Sequence, residues 1–363
     1  MVRIGIIGNG LRGIGHAESI LAGKVPGAKL TAVCDIDQKA LDWATERDVS
    51  IATFKCSNEL LDSGTVDAVI IATPHYDHPS LSMDAMDRKI HVMCEKPAGV
   101  FTKNVREMNE KAKTAGVVFA MMFNQRTNPL YRKMREMVQN GELGELKRTS
   151  WLITDWYRPQ AYYDGGGWRA TWKGEGGGVL INQCPHNLDL WQWICGMPER
   201  VTAFAHNGKW HDIEVEDDVT AYVEYANGAT GVFVTSTADC PGNNRFEILG
   251  DLGKLVCEGG KLVHYKLEVS EREFNRTNTK MFASPKAERI EVECPGQNTQ
   301  HVGVLIAFVQ NINGEGDLIA NGEEGIHGLT LSNAMHLSSW TGKTVEIPKL
   351  DEDLFVAELE KRF

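Results

Sequence analysis

The chain is predicted to fold as two domains, an N-terminal α/β domain with a doubly wound parallel sheet and a strand-rich α+β domain. Three observations carry this reading. Residues 1–123 alternate short β-branched runs with helical segments, Met1–Gly13 (MVRIGIIGNGLRG) joins a strand to a helix through a glycine turn, and strands dominate from Glu145 onward. At 363 residues the chain also exceeds what one hydrophobic core usually holds. The expected domains are 1–123 and 124–363, with the last helix as the segment able to pack back on the first.

The glycine turn is the first chemical signal. Gly8 permits the tight turn, Gly10 lets backbone approach a pyrophosphate, and Gly13 lets the helix pack close to its strand. With Asn9, Leu11 and Arg12 these residues form the expected cofactor-facing segment, where helix N–H groups meet phosphates. A second strand runs from Lys29 to Cys34 and ends at Asp35, about 20 residues beyond the turn, where a ribose-binding acid belongs. Asp35 and Asp37 would repel a 2′-phosphate, so NAD is expected rather than NADP. Asp35 has a plainer alternative, as N-cap of the helix from Gln38, a task Asp37 could also take.

The alternation continues through helices at Gln38–Asp48 and Asn58–Gly64 and a buried strand at Asp67–Ala72. That strand ends in Thr73-Pro-His75-Tyr-Asp-His78-Pro79, a polar loop at the strand end where doubly wound sheets bind ligands. The next strand, Ile90–Cys94, leads into Glu95-Lys96-Pro97. A lysine there can serve proton transfer when neighbours lower its pKa; as a plain alternative it is a surface residue starting a turn. A helix at Thr102–Ala115 and a strand at Val117–Met121 complete the unit.

Here the chain resembles the Gfo/Idh/MocA family, named for glucose–fructose oxidoreductase, inositol dehydrogenase and a rhizopine catabolism protein. The resemblance rests on the glycine turn, Ala72-Thr-Pro-His75 with His78, Glu95-Lys96-Pro97, and Phe123-Asn124-Gln-Arg126 with Pro129. It implies a Rossmann NAD(P) domain followed by a domain with a large, open, mainly antiparallel sheet. It also implies hydride transfer to or from sugars, sugar derivatives or cyclitols. Thr73, His75, His78, Glu95 and Asn124 then join the cofactor candidates, and Lys96 becomes the residue between nicotinamide and substrate hydroxyl.

In the second half a helix, Pro129–Asn140, precedes a long strand, Glu145–Tyr157, and a loop in which aromatics and glycines mix, Arg158–Gly178. Aromatic faces suit sugar rings, while Tyr, Arg and Trp edges bond hydroxyls; a buried scaffold is the plainer alternative. Tyr163 and Trp172 are the substrate-side candidates. By the resemblance, Trp168 and Arg169 approach the cofactor.

A helix is predicted over Val179–Cys195, stopped by Gly196. Asn182, His186 and Asp189 follow i, i+4, i+7 spacing and would share one face as substrate ligands. A lone histidine there is commonly a satisfied core residue. The resemblance makes His186 the partner of Lys96 in proton transfer. It also exposes a departure: inositol dehydrogenases carry an aspartate four residues before this histidine, and this chain carries Asn182. An amide holds a hydroxyl but offers no charge to an imidazolium, so Asp189 is the candidate to take part of that role.

Further strands are expected at Val201–His206, Val219–Ala226, Ala229–Thr237, Arg245–Leu249 and Leu262–Val269, with Asn227-Gly228 as a hairpin turn. Helices follow at Gln300–Asn311 and Glu323–Thr341, then an acidic tail. The net charge of −11 argues against nucleic acid or an anionic membrane as partner, and no apolar run is long enough to span a bilayer. Eight cysteines form no C-x-x-C pair, which fits a cytoplasmic protein without a metal site. A homodimer or homotetramer is expected, because one sheet face needs a cover. The expected activity is NAD-dependent oxidation of a sugar or cyclitol hydroxyl. An NAD-retaining glycosidase or lyase, acting by transient oxidation and elimination, is the alternative, and a non-catalytic sugar or NAD sensor a third reading.

Overall fold

The computed structural model describes all 363 residues, Met1–Phe363, in two compact units. The first comprises Met1–Thr127 with Asn298–Leu329, and the second Asn128–Gln297 with Thr330–Phe363.

Six parallel strands form the sheet of the first unit: β1 (Val2–Ile7), β2 (Ala28–Cys34), β3 (Ala52–Phe54), β4 (Ala68–Ile71), β5 (His91–Cys94) and β6 (Phe119–Met121). Their order is β3-β2-β1-β4-β5-β6, so winding reverses between β1 and β4, where such sheets bind nucleotides. Helices cover both faces, and the strands read as unbroken apolar runs: Ala68, Val69, Ile70 and Ile71 are all fully buried. The helix Gln300–Ile312 completes this core, placing Val304, Leu305, Phe308 and Val309 in one cluster with Ile4, Ile6 and Ile20.

The returning segment is Asn298–Leu329, which includes the start of the expected last helix, here Gly325–Thr341, and the first stretch of this unit runs to Thr127, beyond the expected residue 123. The terminus read as an acidic tail is a helix, Glu352–Glu360, belonging to the second unit. Asp351 caps it by accepting from the Leu354 N–H at 2.9 Å, and Phe355 and Leu359 are buried.

The second unit is built on nine strands: β7 (Leu146–Ile153), β8 (Arg200–Asn207), β9 (Glu216–Glu224), β10 (Thr230–Ser236), β11 (Asn244–Gly250), β12 (Gly253–Glu258), β13 (Lys261–Leu267), β14 (Ala287–Val292) and β15 (Val345–Glu346). The order is β14-β13-β12-β11-β7-β10-β9-β8-β15. Only β7 and β10 pair in parallel; the rest are antiparallel. Burial alternates along Asp217–Glu224 and Thr230–Thr235 of the central strands, so the sheet has one core face and one open face. On the core face Trp151 stacks on Phe246 with ring centres 4.2 Å apart. The helix Pro185–Cys195 packs there through Trp191, which stacks on Phe233 and donates from Nε1 to Thr149 Oγ1 at 3.1 Å. That seat fixes the helix carrying His186.

Candidate functional site

In the first unit the glycine turn performs its three tasks separately. Gly8 has φ +90°, and a Cβ there would lie 2.7 Å from the Ala72 backbone. A Cβ on Gly13 would lie 2.1 Å from the Gly8 carbonyl oxygen. Gly10 has nothing within 4 Å of such an atom, and it stands at the start of the Leu11–Leu21 helix without a side-chain cap. Two glycines therefore pack the turn, and the third leaves room beside free helix N–H groups.

Asp35 is held against this turn. Its Oδ2 accepts from the Asn9 N–H at 2.6 Å and its Oδ1 from the Asp37 N–H at 2.9 Å. Capping of the next helix falls to Asp37, which accepts from the Lys39 N–H at 3.0 Å. The plainer alternative for Asp35 is therefore taken by its neighbour. Ile36 and Leu11, beside these residues in sequence, are 90% and 84% exposed, apolar surfaces of the kind a flat base covers.

Three buried polar atoms at strand ends have no protein partner: Asn9 Oδ1 after β1, Thr73 Oγ1 after β4 and Asn124 Oδ1 after β6. Each such atom costs about 1–3 kcal/mol unless something bonds it. A dinucleotide lying across the carboxyl ends of these strands would supply hydroxyl, amide and phosphate groups to them. The residues fit NAD.

Three of the expected cofactor ligands, His75, His78 and Glu95, are buried. His78 is 1% exposed, and its ring nitrogens face Pro97 O at 2.7 Å and Thr73 O at 2.9 Å. Burial pushes its pKa down against those two carbonyls, so it joins the Thr73 loop to the Lys96–Pro97 turn. His75 is buried with its ring edge toward His78. Glu95 is also buried, bonding His16 Nε2 at 2.8 Å and accepting from the Lys96 N–H at 3.1 Å. Burial alone would raise its pKa, but the pairing with His16 outweighs this and holds it ionised. Lys96 itself is half-buried, on a turn fixed from both sides. Asn124 donates to Gln300, and Arg126, nearly inaccessible, pairs with Glu324 at 2.6 Å.

In the second unit the predicted helix over Val179–Cys195 begins only at Pro185. Proline suits that first position because its nitrogen carries no hydrogen. The preceding segment is held as a turn by Glu216, whose carboxylate accepts from the Gly178 N–H at 2.8 Å and the Leu180 N–H at 2.9 Å. Glu216 is fully buried and lies 3.1 Å from His336 Nε2. Burial opposes its ionisation, yet His336 and the two N–H groups hold its pKa below the ordinary range. Asn182 is consequently on a turn, and the same-face argument from helical spacing does not apply to it.

Asn182 and His186 are nonetheless alike in exposure. From Glu175 to Gln192 these are the only two residues that are not buried. Asp189 is 1% exposed and accepts from Gln192 Nε2, three residues on, at 3.2 Å. Trp172 is buried too: its Nε1 donates to the Glu214 carbonyl at 2.9 Å, and its ring packs edge-on to His336 and Trp340. Tyr163 points inward and bonds Thr237 Oγ1 at 2.8 Å. The tyrosine beside Asn182 is Tyr162, whose hydroxyl oxygen accepts from Asn182 Nδ2 at 3.2 Å and Arg169 Nη1 at 3.0 Å. Arg169 in turn lies over the Trp168 and Tyr162 rings, 4.5 and 5.0 Å from their centres.

Residues 2–123 match an oxidoreductase family with an NAD-binding Rossmann fold, and residues 131–256 match the C-terminal domain of the same family. The chain belongs to the Gfo/Idh/MocA oxidoreductase family. Among Gfo/Idh/MocA proteins it is similar to myo-inositol 2-dehydrogenase of Thermotoga maritima, at 28% identity over 71% of this chain and 75% of that one. It is 25% identical to D-glucoside 3-dehydrogenase of Escherichia coli, over 88% of this chain and 90% of that one. The crystal structure of the WlbA dehydrogenase from Chromobacterium violaceum, with NADH and UDP-GlcNAcA, superposes with a TM-score of 0.82 at 27% identity, covering 96% of each chain. The fold expected from the resemblance, a Rossmann domain followed by a large mainly antiparallel sheet, is the fold observed.

Proposed function

We propose that this protein is an NAD-dependent dehydrogenase acting on a hydroxyl-bearing carbon of a sugar, sugar derivative or cyclitol. The observation that carries the reading is the exposure of Asn182 and His186 alone in an otherwise buried segment, in a family of NAD-binding oxidoreductases. Relatives named for inositol and glucoside dehydrogenation support the substrate class.

Bound NAD would accept hydride from the substrate carbon, and the chain supplies orientation and proton handling. In this reading Asp35 bonds the ribose hydroxyls, Gly10 and the helix start face the pyrophosphate, and Asn9, Thr73 and Asn124 use their partnerless oxygens on the dinucleotide. Leu11, Arg12, Trp168 and Arg169 remain proposed cofactor neighbours. Lys96 Nζ holds the substrate oxygen, and the His186 imidazole takes up its proton as the carbonyl forms. Asn182 and Tyr162 bond neighbouring hydroxyls. Glu95 and His78 keep the lysine turn in place.

The test is a panel of sugars, sugar acids, glycosides and inositols with NAD, following NADH absorbance. Lys96→Ala should bind NADH with nearly wild-type affinity and lose at least about a hundredfold in kcat, the scale of general acid–base assistance. Wild-type turnover in that variant would remove Lys96 from the mechanism.

We also propose a cytoplasmic homodimer or homotetramer. The eight cysteines are all unpaired, and no helix is long and apolar enough to cross a membrane. The open sheet face carries Phe204 and Tyr222 at 63% and 42% exposure, with Leu152 at 38%, apolar area that a second copy would cover.

A further inference from the structure

Glu175 ends the short helix Trp172–Glu175 and is 2% exposed. Its Oε2 accepts from the Ala170 N–H at 2.7 Å, and its Oε1 accepts from Asn182 Nδ2. The Asn182 amide nitrogen also donates to the Tyr162 oxygen, which takes a second N–H from Arg169. Both hydrogens of this amide therefore have acceptors within the protein.

The chemistry of these groups fixes a direction. An ionised carboxylate can only accept, so the NH2 arm of Asn182 must face Glu175 and the carbonyl arm must face elsewhere. The Tyr162 oxygen, entered by two N–H donors, has only its own proton left to give. A hydroxyl that bonds this amide from the side away from Glu175 therefore meets its oxygen, and one that bonds Tyr162 meets its proton. A sugar hydroxyl, which gives one hydrogen bond and takes others, matches that pair.

We propose that Glu175 is a positioning residue that sets the polarity of the substrate site, its carboxylate holding the Asn182 amide so that oxygen and not nitrogen is offered to a substrate hydroxyl. This rests on the dehydrogenase reading above. The carboxylate stands seven residues before Asn182 and acts through its amide.

Neutral Glu175 no longer enforces the direction, because its own hydroxyl can donate to Asn182 Oδ1 and let the amide turn over. Burial raises the pKa of Glu175 to about 7, opposed by the Ala170 N–H, Arg169 and Asn182 and assisted by the charge of Glu216. The titratable and charged groups around this corner include Arg169, 3.9 Å from Glu175 Oε1, Tyr162, Tyr163 and, through Glu216, His336, with His186 four residues beyond Asn182. Tyr163 is pushed up to about 12 by burial. A response near neutrality that disappears in Glu175→Gln is therefore assigned to Glu175 and not to His186.

The test follows the side-chain NH2 signal of Asn182 by 15N NMR in the full-length NADH-loaded protein, assigned by its loss in Asn182→Asp. The wild type should titrate with a midpoint near neutrality and Glu175→Gln should not. A signal flat from pH 5.5 to 8.5, or a titration unchanged in Glu175→Gln, overturns the proposal whether or not a substrate has been found. With any panel substrate, KM should fall as pH rises through 7 in the wild type. Glu175→Gln should show a KM raised about tenfold above pH 7, the worth of one hydrogen bond, with the fall across neutrality reduced to what His186 contributes and NADH affinity unchanged. Unchanged KM and pH profile would equally refute it. Absence of turnover on every sugar tested counts against the dehydrogenase reading and leaves the NMR outcome to judge Glu175.

Discussion

The separation of tasks in the glycine turn can be tested with two methyl groups. Gly10→Ala places a Cβ where nothing lies within 4 Å, at φ −75°, which alanine adopts freely. Its cost to the folded chain should stay below about 1 kcal/mol, the scale of an N-cap change to alanine. Gly13→Ala places the same atom 2.1 Å from the Gly8 carbonyl oxygen. That neighbour is backbone and cannot rotate away, so helix and strand must separate, at about 1–3 kcal/mol for overpacking. Binding should invert the order of specificity. The open space at Gly10 is where a phosphate oxygen would approach to about 2.9 Å of a backbone N–H. A methyl there should weaken NADH by roughly thirtyfold, about 2 kcal/mol, in a protein that melts normally. Gly13→Ala should lower both melting temperature and affinity. Scanning calorimetry and NADH fluorescence titration read the two quantities separately. A Gly10→Ala protein binding NADH as the wild type does would refute a pyrophosphate at this turn.

Competitive titration should favour NAD over NADP by at least about tenfold, with Asp35 and Asp37 both negative where a 2′-phosphate would lie; tighter NADP binding defeats that assignment. Glu216→Gln should destabilise the protein by about 3 kcal/mol at pH 7, since one partner of a buried pair is removed. Because the folded pKa of Glu216 is depressed, its stabilisation is present above the ordinary carboxylate pKa and lost as pH falls through the folded value. The gap between variant and wild type in urea melts should therefore narrow in acid, and a constant gap would contradict the assignment. Phe204→Lys with Tyr222→Lys should shift the mass measured by light scattering toward the monomer; an unchanged mass moves the interface off this sheet face.

Much of the first unit was legible because its strands are buried on both faces. A run such as Ala68–Ile71 needs no partner information to be read. The same holds for the Thr102–Ala115 helix, whose apolar stripe lies within its own sequence. What failed depended on distant partners. Val179-Leu-Ile looks helical, but a carboxylate 36 residues beyond Leu180 takes its N–H groups. Glu95 and His78 sit in polar loops at strand ends, and their bonds to His16 and Pro97 join residues 79 and 19 positions apart, which no local pattern shows. Tyr162 and Tyr163 are adjacent, and no local pattern tells which ring enters the core. Strand β14, AERIEV, was missed because it is polar and lies at an edge; β3 is only three residues long. Glu175, Glu216 and His336 offered a weaker clue, as acidic and imidazole groups in glycine-rich or apolar surroundings that had to find partners.

The return of Asn298–Leu329 to the first unit has a consequence for biosynthesis. The nucleotide-binding core lacks Val304, Leu305, Phe308 and Val309 until that segment has left the ribosome. At about 5–20 residues per second, the sheet beginning at Val2 waits on the order of ten seconds or more while Asn128–Gln297 is made. Throughout that interval Ile4, Ile6 and Ile20 lack part of their cover, and nascent chains of this protein should be chaperone clients for longer than a Rossmann unit encoded in one piece. A gene truncated after Thr127 would not yield a soluble cofactor-binding fragment; one that carried Asn298–Leu329 on a short linker would.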